Sequence, residues 1–198
     1  MRGSAVAALA FLSTVLLTGC EQDRSPTDVN ATSGAVSEPP PTTLTEPAIQ
    51  PPRQKNQNHP DVVYDPCTYL GDQTVRQIGA DPATRHRSDF VAEYTLLGCE
   101  YESKDGTVTI SSSNIAMAEE RARYKAASRD VDVNGRSSVI IHLPSDGPDT
   151  CALSMPTKEG FLNISSFLSI DALRRNVNPC DDLMRIAQIV EPTIGKGK

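Results

Sequence analysis

Apolar positions are distributed along the chain in three regimes. From Ala5 to Leu17 they run almost without interruption, and the only charge before them is Arg2. From Glu21 to Pro60 they follow no period: this stretch holds eight of the fifteen prolines and no aromatic residue. From Asp61 onward they recur at intervals that predict elements. Asp65-Pro66-Cys67 has the cap and the first-position proline of a helix. Cys67, Leu70, Thr74, Val75 and Ile78 then fall near one face, Gly71-Asp72 offers a break, and Gly79 is a natural stop. Phe90 to Glu102 reads as a strand with Leu97, Cys99 and Tyr101 on one side. Lys104-Asp105-Gly106 turns it into a return strand, Thr107 to Ser111, with Val108 and Ile110 inward.

Further on, good helix formers from about Ile115 to Ala127 follow a cap at Ser113 or Asn114. Glu119, Glu120, Arg121, Arg123 and Lys125 form its expected solvated face. Asn134-Gly135-Arg136 is a turn, after which Val139, Ile141 and Leu143 alternate with Ile140 and His142. Cys151, Leu153 and Met155 alternate again, and Phe161 to Leu168 is the last expected strand. Asn178-Pro179-Cys180 repeats the cap–proline–cysteine opening, with Cys180, Leu183, Met184 and Ala187 at helical spacing and Pro192 as the terminator. The short connections favour antiparallel pairing. The expected fold is therefore α+β: a mainly antiparallel sheet of about five strands packed with helices and two disulfides. The expected organisation is a signal segment at 1–19, a disordered Pro/Thr-rich linker at 20–60 and a globular domain at 61–195.

Composition narrows the setting. The formal net charge of −6 argues against nucleic acid and against electrostatic docking on anionic lipid. The N-terminal apolar run is too short to span a bilayer but suits a signal peptide. Leu17-Thr18-Gly19-Cys20, a small residue before cysteine with leucine three positions ahead, resembles the lipobox of bacterial lipoproteins. That resemblance implies cleavage before Cys20, acylation of its thiol and its new N-terminus, and anchoring on the extracytoplasmic face of the cell membrane. The Thr/Pro-rich linker has the composition of segments that carry O-linked sugar.

Cys67, Cys99, Cys151 and Cys180 remain, an even number suited to an oxidising compartment. Four cysteines allow three connectivities. The expected pairing joins each helix-opening cysteine to the nearer strand cysteine, Cys67–Cys99 and Cys151–Cys180. Gaps of 32, 52 and 29 residues are unlike the short spacings of a zinc site.

Catalytic patterns are missing from the sequence. His59 lies in the linker, His86 between Arg85 and Arg87, and His142 on a strand, with no metal spacing among them. No Gly-rich phosphate loop, G-x-S-x-G or S-x-x-K motif occurs. Ser111 to Ser113 and Ser165-Ser166 fit strand ends and caps. Arg85-His86-Arg87 and Arg174-Arg175 are candidate grips for a lipid headgroup or a sugar phosphate, against a reading as ordinary solvated charge. The expectation is a non-enzymatic module without metal or cofactor that binds a small or lipidic envelope component; the alternative is an accessory protein docking on an envelope partner. An apolar cavity would favour the first, an exposed apolar patch the second.

Asp65-Pro66-Cys67, Gly98-Cys99-x-Tyr101, Gly135-Arg136, Cys151 and Asn178-Pro179-Cys180 follow one another as in an actinobacterial lipoprotein family, domain of unknown function 3558, which the chain resembles from about Asp65 to Pro192 and at the lipobox. Tyr101 stands where that family often has Trp, and Asn178 where it often has Asp. The resemblance implies an extracytoplasmic protein and carries over no catalytic residue. Related lipoproteins have a sheet-and-helix fold like that of the photosystem protein PsbP, which serves as an analogy for this one.

Overall fold

The computed structural model describes residues 43–142 and 150–195. The apolar run, Leu17-Thr18-Gly19-Cys20, Pro39-Pro40-Pro41 and Leu143 lie outside them. Within them the fold is α+β, with eight strands: β1 (His86–Arg87), β2 (Phe90–Val91), β3 (Thr95–Ser103), β4 (Gly106–Ser113), β5 (Ser128–Val133), β6 (Arg136–His142), β7 (Thr150–Pro156) and β8 (Phe161–Leu168). The α-helices are α1 (Pro66–Tyr69), α2 (Asp72–Gln77), α3 (Met117–Arg123), α4 (Ile170–Arg174) and α5 (Leu183–Val190). The strands form one sheet in the order β1-β3-β4-β8-β7-β6-β5, with β2 also on β3, and every pairing is antiparallel.

The turns were legible because their chemistry is local. Val133 pairs with Arg136, so Asn134-Gly135 is a two-residue hairpin turn. Both residues have positive φ, 53° and 88°, which asparagine and glycine tolerate best. Lys104-Asp105 likewise joins β3 to β4. There Gly106 is needed for space as well: a Cβ would lie 2.1 Å from the Phe167 carbonyl oxygen.

Three strands escape the expected set of about five. The expected Phe90–Glu102 strand breaks into β2 and β3, and β1 precedes it. The edge strand β5 carries Arg129, Asp130 and Asp132, whose side chains are exposed. Charged edges oppose pairing with a further strand and also hide the apolar alternation of a strand.

The two faces of the sheet are covered differently. On one, Cys99, Tyr101, Val108, Ile110, Leu153, Met155, Leu162 and Ile164 meet Cys67, Leu70, Val75 and Ile78 from the α1–α2 segment and Leu183, Ile186, Ala187 and Val190 from α5. On the other, Val139, Ile141 and Ala152 pack with Met117 and Tyr124 at the ends of α3. This explains why β6 is apolar on both sides. Helix α3 is shorter than the expected Ile115–Ala127, and Asn114 does not cap it. Its side chain instead accepts from Thr95 N and donates to Pro60 O. Glu120, expected on the solvated face, is buried and accepts a hydrogen bond from Ser154. Burial raises its pKa, and the Ser154 bond and Arg123 offset only part of that.

Both disulfides have the expected connectivity, Cys67–Cys99 and Cys151–Cys180. Each fastens the helical side to the sheet: the first joins α1 to β3, and the second joins the segment before α5 to β7.

The linker boundary at residue 60 is revised. Residues 43–60 hold ordered contacts with the domain. Leu44 N donates to Thr68 O, Ile49 O accepts from Arg87, and Gln57 N donates to Glu93 O. The Gln54 amide both donates to Val62 O and accepts from Val62 N, each at 2.8 Å, so a side chain completes the backbone pairing of this strap. Proline-rich composition argued for an unbound coil, but side-chain hydrogen bonds of this kind leave no trace in hydropathy. The linker portion before residue 43 lies outside the described residues.

Candidate functional site

Among the described residues, two clusters of charged side chains contain candidate binding residues, and one of these two is open. The first is the segment Arg85-His86-Arg87, a candidate anion grip by sequence. Arg87 is tied between Asp65, at 3.0 Å, and Asp89, at 2.7 Å, and also donates to Ile49 O. Burial works against its charge, but the two carboxylates outweigh this and its pKa moves up. Arg85 donates to Cys67 O within α1 and to Leu70 O just after it, as well as to the Tyr101 hydroxyl and Asp72. Its guanidinium also lies 5.3 Å from the centre of the Tyr101 ring. Burial pushes the Tyr101 hydroxyl up to about 12. Both arginines are internal struts rather than a grip for a ligand. Asp65 does cap Cys67 N, as its motif implied, but it is also the buried anion of this cluster.

The second place is a cleft of about 540 Å³ beside the β3–β4 turn. Three separate segments form it: Ser103 to Asp105, Ile78-Gly79 at the end of α2, and the α4–α5 connection from Arg175 to Asp182 together with Arg185. Val108, Ser166, Leu168 and Ile186 form its floor.

The local chain path explains the placement. Ser169 Oγ accepts from Ala172 N and starts α4. Asn176, with φ of 56°, reverses the chain after it. Asn178 Oδ1 accepts from Cys180 N, and the Cys151–Cys180 bond then holds the connection on the sheet.

The rim charges are arranged in pairs. Arg175 reaches Asp105 at 2.7 Å, and Lys104 lies 3.4 Å from the same carboxylate. Arg185 meets Asp182 at 2.6 Å and also donates to Gln77 O and Ile78 O. Hydrogen bonds from Arg175 and from Arg185 hold the Asp105 and Asp182 carboxyls below the usual carboxylate range. The Asp182 bond in turn raises Arg185.

Of the Arg174-Arg175 pair, only Arg175 lines the cleft; Arg174 pairs with Asp171 on the exposed side of α4. Ser166 contributes to the floor, whereas Ser111, Ser112, Ser113 and Ser165 are buried in the sheet. His86 and His142 are exposed at strand positions, and His59 lies in the strap. Cys67, Cys99, Cys151 and Cys180 are spent in disulfides, and Cys20 lies outside the described residues. Among the described residues no group of three or more His, Cys, Asp or Glu is arranged to hold a metal ion. No helix among them is long and apolar enough to cross a membrane.

Sequence reasoning did not find the cleft. Lys104-Asp105 had a complete explanation as a turn, and Asp181 and Asp182 follow a helix-opening motif, where carboxylates are ordinary. Their meeting with Arg175 and Arg185 depends on β4 lying next to β8, which brings the β3–β4 turn to the start of α4.

No curated protein and no solved structure matches the chain. A family does match, described as Protein of unknown function (DUF3558), over residues 15–193. That span takes in the strap, the sheet, both disulfides and the cleft, and the chain belongs to this family.

Proposed function

We propose that the protein is a non-enzymatic binding module, lipid-anchored through Cys20 on the extracytoplasmic face of the cell membrane, and that a small envelope component seats in the cleft beside the β3–β4 turn. The cleft itself carries the reading: it is concave, has a fixed frame and lies within the roughly 300–1,000 Å³ typical of small-molecule sites. The Cys151–Cys180 bond and the Arg175–Asp105 and Arg185–Asp182 pairs set its walls before a ligand arrives, which lowers the ordering cost of binding. A binding role suits these groups better than acid–base catalysis. Carboxylates held below their usual range are poor proton acceptors at neutral pH. The lipobox-like Leu17-Thr18-Gly19-Cys20 supports the anchor, and two disulfides suit an oxidising compartment.

One observation favours docking on an envelope protein as the second reading. Phe167 and Ile170, close in sequence at the β8–α4 junction, are 44% and 68% exposed. The two readings separate on protein recovered from its native membrane. Mass spectrometry of solvent extracts of the de-acylated chain, run beside crosslinking in cells, should find a small molecule retained by the wild type and lost from Arg175→Ala. A clean extract with one dominant protein crosslink through Phe167 would replace the ligand reading with the docking one. Cys20→Ala should release the protein from membranes or leave it unprocessed; unchanged mass and full membrane retention would refute the anchor.

A further inference from the structure

We infer that the ligand of this cleft is a neutral polyhydroxylated molecule, a saccharide, rather than an anion or a lipid tail. The inference rests on the binding role proposed above and specifies its chemistry.

Charge balance is the first ground. Three cations on the cleft lining, Lys104, Arg175 and Arg185, face three anions, Asp105, Asp181 and Asp182. An approaching phosphate or carboxylate would meet as much repulsion as attraction and would compete with ion pairs already made.

Hydrogen-bond capacity is the second. Arg185 uses four of its five N–H groups, on both Asp182 oxygens, Gln77 O and Ile78 O, so it is a strut with little left for an anion. Arg175 uses two, on Asp171 O and Asp105, and keeps three. Each carboxylate oxygen that accepts one arginine bond retains a lone pair. Asp181 has no ion-pair partner among the described residues, and Asn176 and Asn178 add amides. The ion pairs therefore fix donors and acceptors side by side at set positions. A sugar hydroxyl donates and accepts at once, so a ring of hydroxyls matches an alternating frame that a simple anion cannot satisfy.

The floor is the third ground. Ile78, Val108 and Ile186 are already buried, so an acyl chain would gain little new apolar contact. Leu168 is buried as well, so what remains of the floor is the half-buried Ser166, over which the short C–H face of a sugar ring fits better than a long acyl chain.

The test uses the chain produced with both disulfides formed and ¹⁵N-labelled for amide shift mapping. The probes are neutral di- and trisaccharides, the same sugars bearing a phosphate or a uronate, and a zwitterionic dipeptide. Each is added to about 10 mM, enough to occupy most of a site with Kd near 1 mM. A neutral sugar should shift the amides of Lys104, Asn176 and Asp181. Its affinity should change less than about twofold when salt is raised, because screening acts on net charge. Arg175→Gln and Asp182→Asn should each weaken it about tenfold, the worth of one hydrogen bond to a charged group. Glu119→Gln, away from the cleft, should leave it unchanged. Both cleft substitutions lie at exposed positions, and their amide spectra without ligand report whether the fold is intact. Cleft shifts with only the anionic or dipeptide probes would overturn the saccharide inference and leave the binding role standing. No cleft shift with any probe would overturn both.

Discussion

Replacing Arg87 with alanine should be among the most destabilising single changes in the domain, although arginine is usually a surface residue. The Asp65 carboxylate is 3% exposed, and Arg87 is its ion-pair partner. Its other hydrogen bonds come from Cys67 N at 3.3 Å and Thr68 Oγ1 at 2.9 Å, both neutral donors. Arg87→Ala would therefore leave a buried negative charge unpaired, a situation that costs about 3–5 kcal/mol. The strap would also lose the Arg87–Ile49 hydrogen bond, worth about another 1 kcal/mol. For a domain with a total stability of about 5–15 kcal/mol, this is a large share. Urea unfolding with the disulfides intact measures it: with m near 2 kcal/mol/M, the midpoint should fall by about 2–3 M. Arg175→Ala is the control, since its pair with Asp105 is solvent-exposed and worth under about 1 kcal/mol. A second comparison isolates the cause. Asp65→Asn keeps a side-chain acceptor for the α1 cap but removes the charge, so Arg87→Ala/Asp65→Asn should be more stable than Arg87→Ala alone. An Arg87→Ala protein within about 1 kcal/mol of wild type, or a double variant less stable than the single, would refute the reasoning.

The disulfides and Glu120 give two further expectations. Removing Cys67–Cys99 or Cys151–Cys180 by paired alanine substitution should cost about 3–4 kcal/mol each, given separations of 32 and 29 residues. Hydrogen exchange should show faster opening of the Arg175–Asp182 connection only when the second bond is lost; equal exchange there in both variants would remove that bond's role in framing the cleft. For Glu120, burial lifts the folded pKa above the unfolded value, so the folded state binds more protons across that interval and stability falls as pH rises through it. Glu120→Gln should therefore be more stable than wild type at neutral pH and should flatten that part of the pH–stability curve. A lower midpoint for Glu120→Gln at pH 7 would contradict the sign.

What the sequence disclosed and what it withheld divide along sequence distance. Asp65-Pro66-Cys67, Asn134-Gly135 and Gly79 each act within a few residues, so their roles as cap, turn and stop could be read directly. The cysteine pairing was accessible because each bond links an element to a nearby one in its own half of the chain. Arg85 and Arg87, weighed as a grip against ordinary solvated charge, are neither, because apart from Asp89 their partners, from Ile49 to Tyr101, come from other segments. The strap was missed because glutamine and asparagine side chains, not apolar ones, hold it down. Glu120 was assigned to solvent by its type, and only the packing of α3 on β7 shows otherwise.

The strand order has a consequence for oxidative folding. Residues before α3 build β1 to β4 with α1 and α2, and residues after it build the β5–β8 meander with α4 and α5. One disulfide lies wholly within each part. The parts meet along the ladder that runs from Gly106↔Leu168 to Ser113↔Phe161, between residues far apart in sequence. Closing such distant pairs is the slow, entropically expensive step of a sheet. Both covalent bonds can form while that ladder is still open, and neither has to be broken for it to close. An oxidant can therefore act on the still-unfolded chain at once, without trapping the two parts in a wrong register relative to each other.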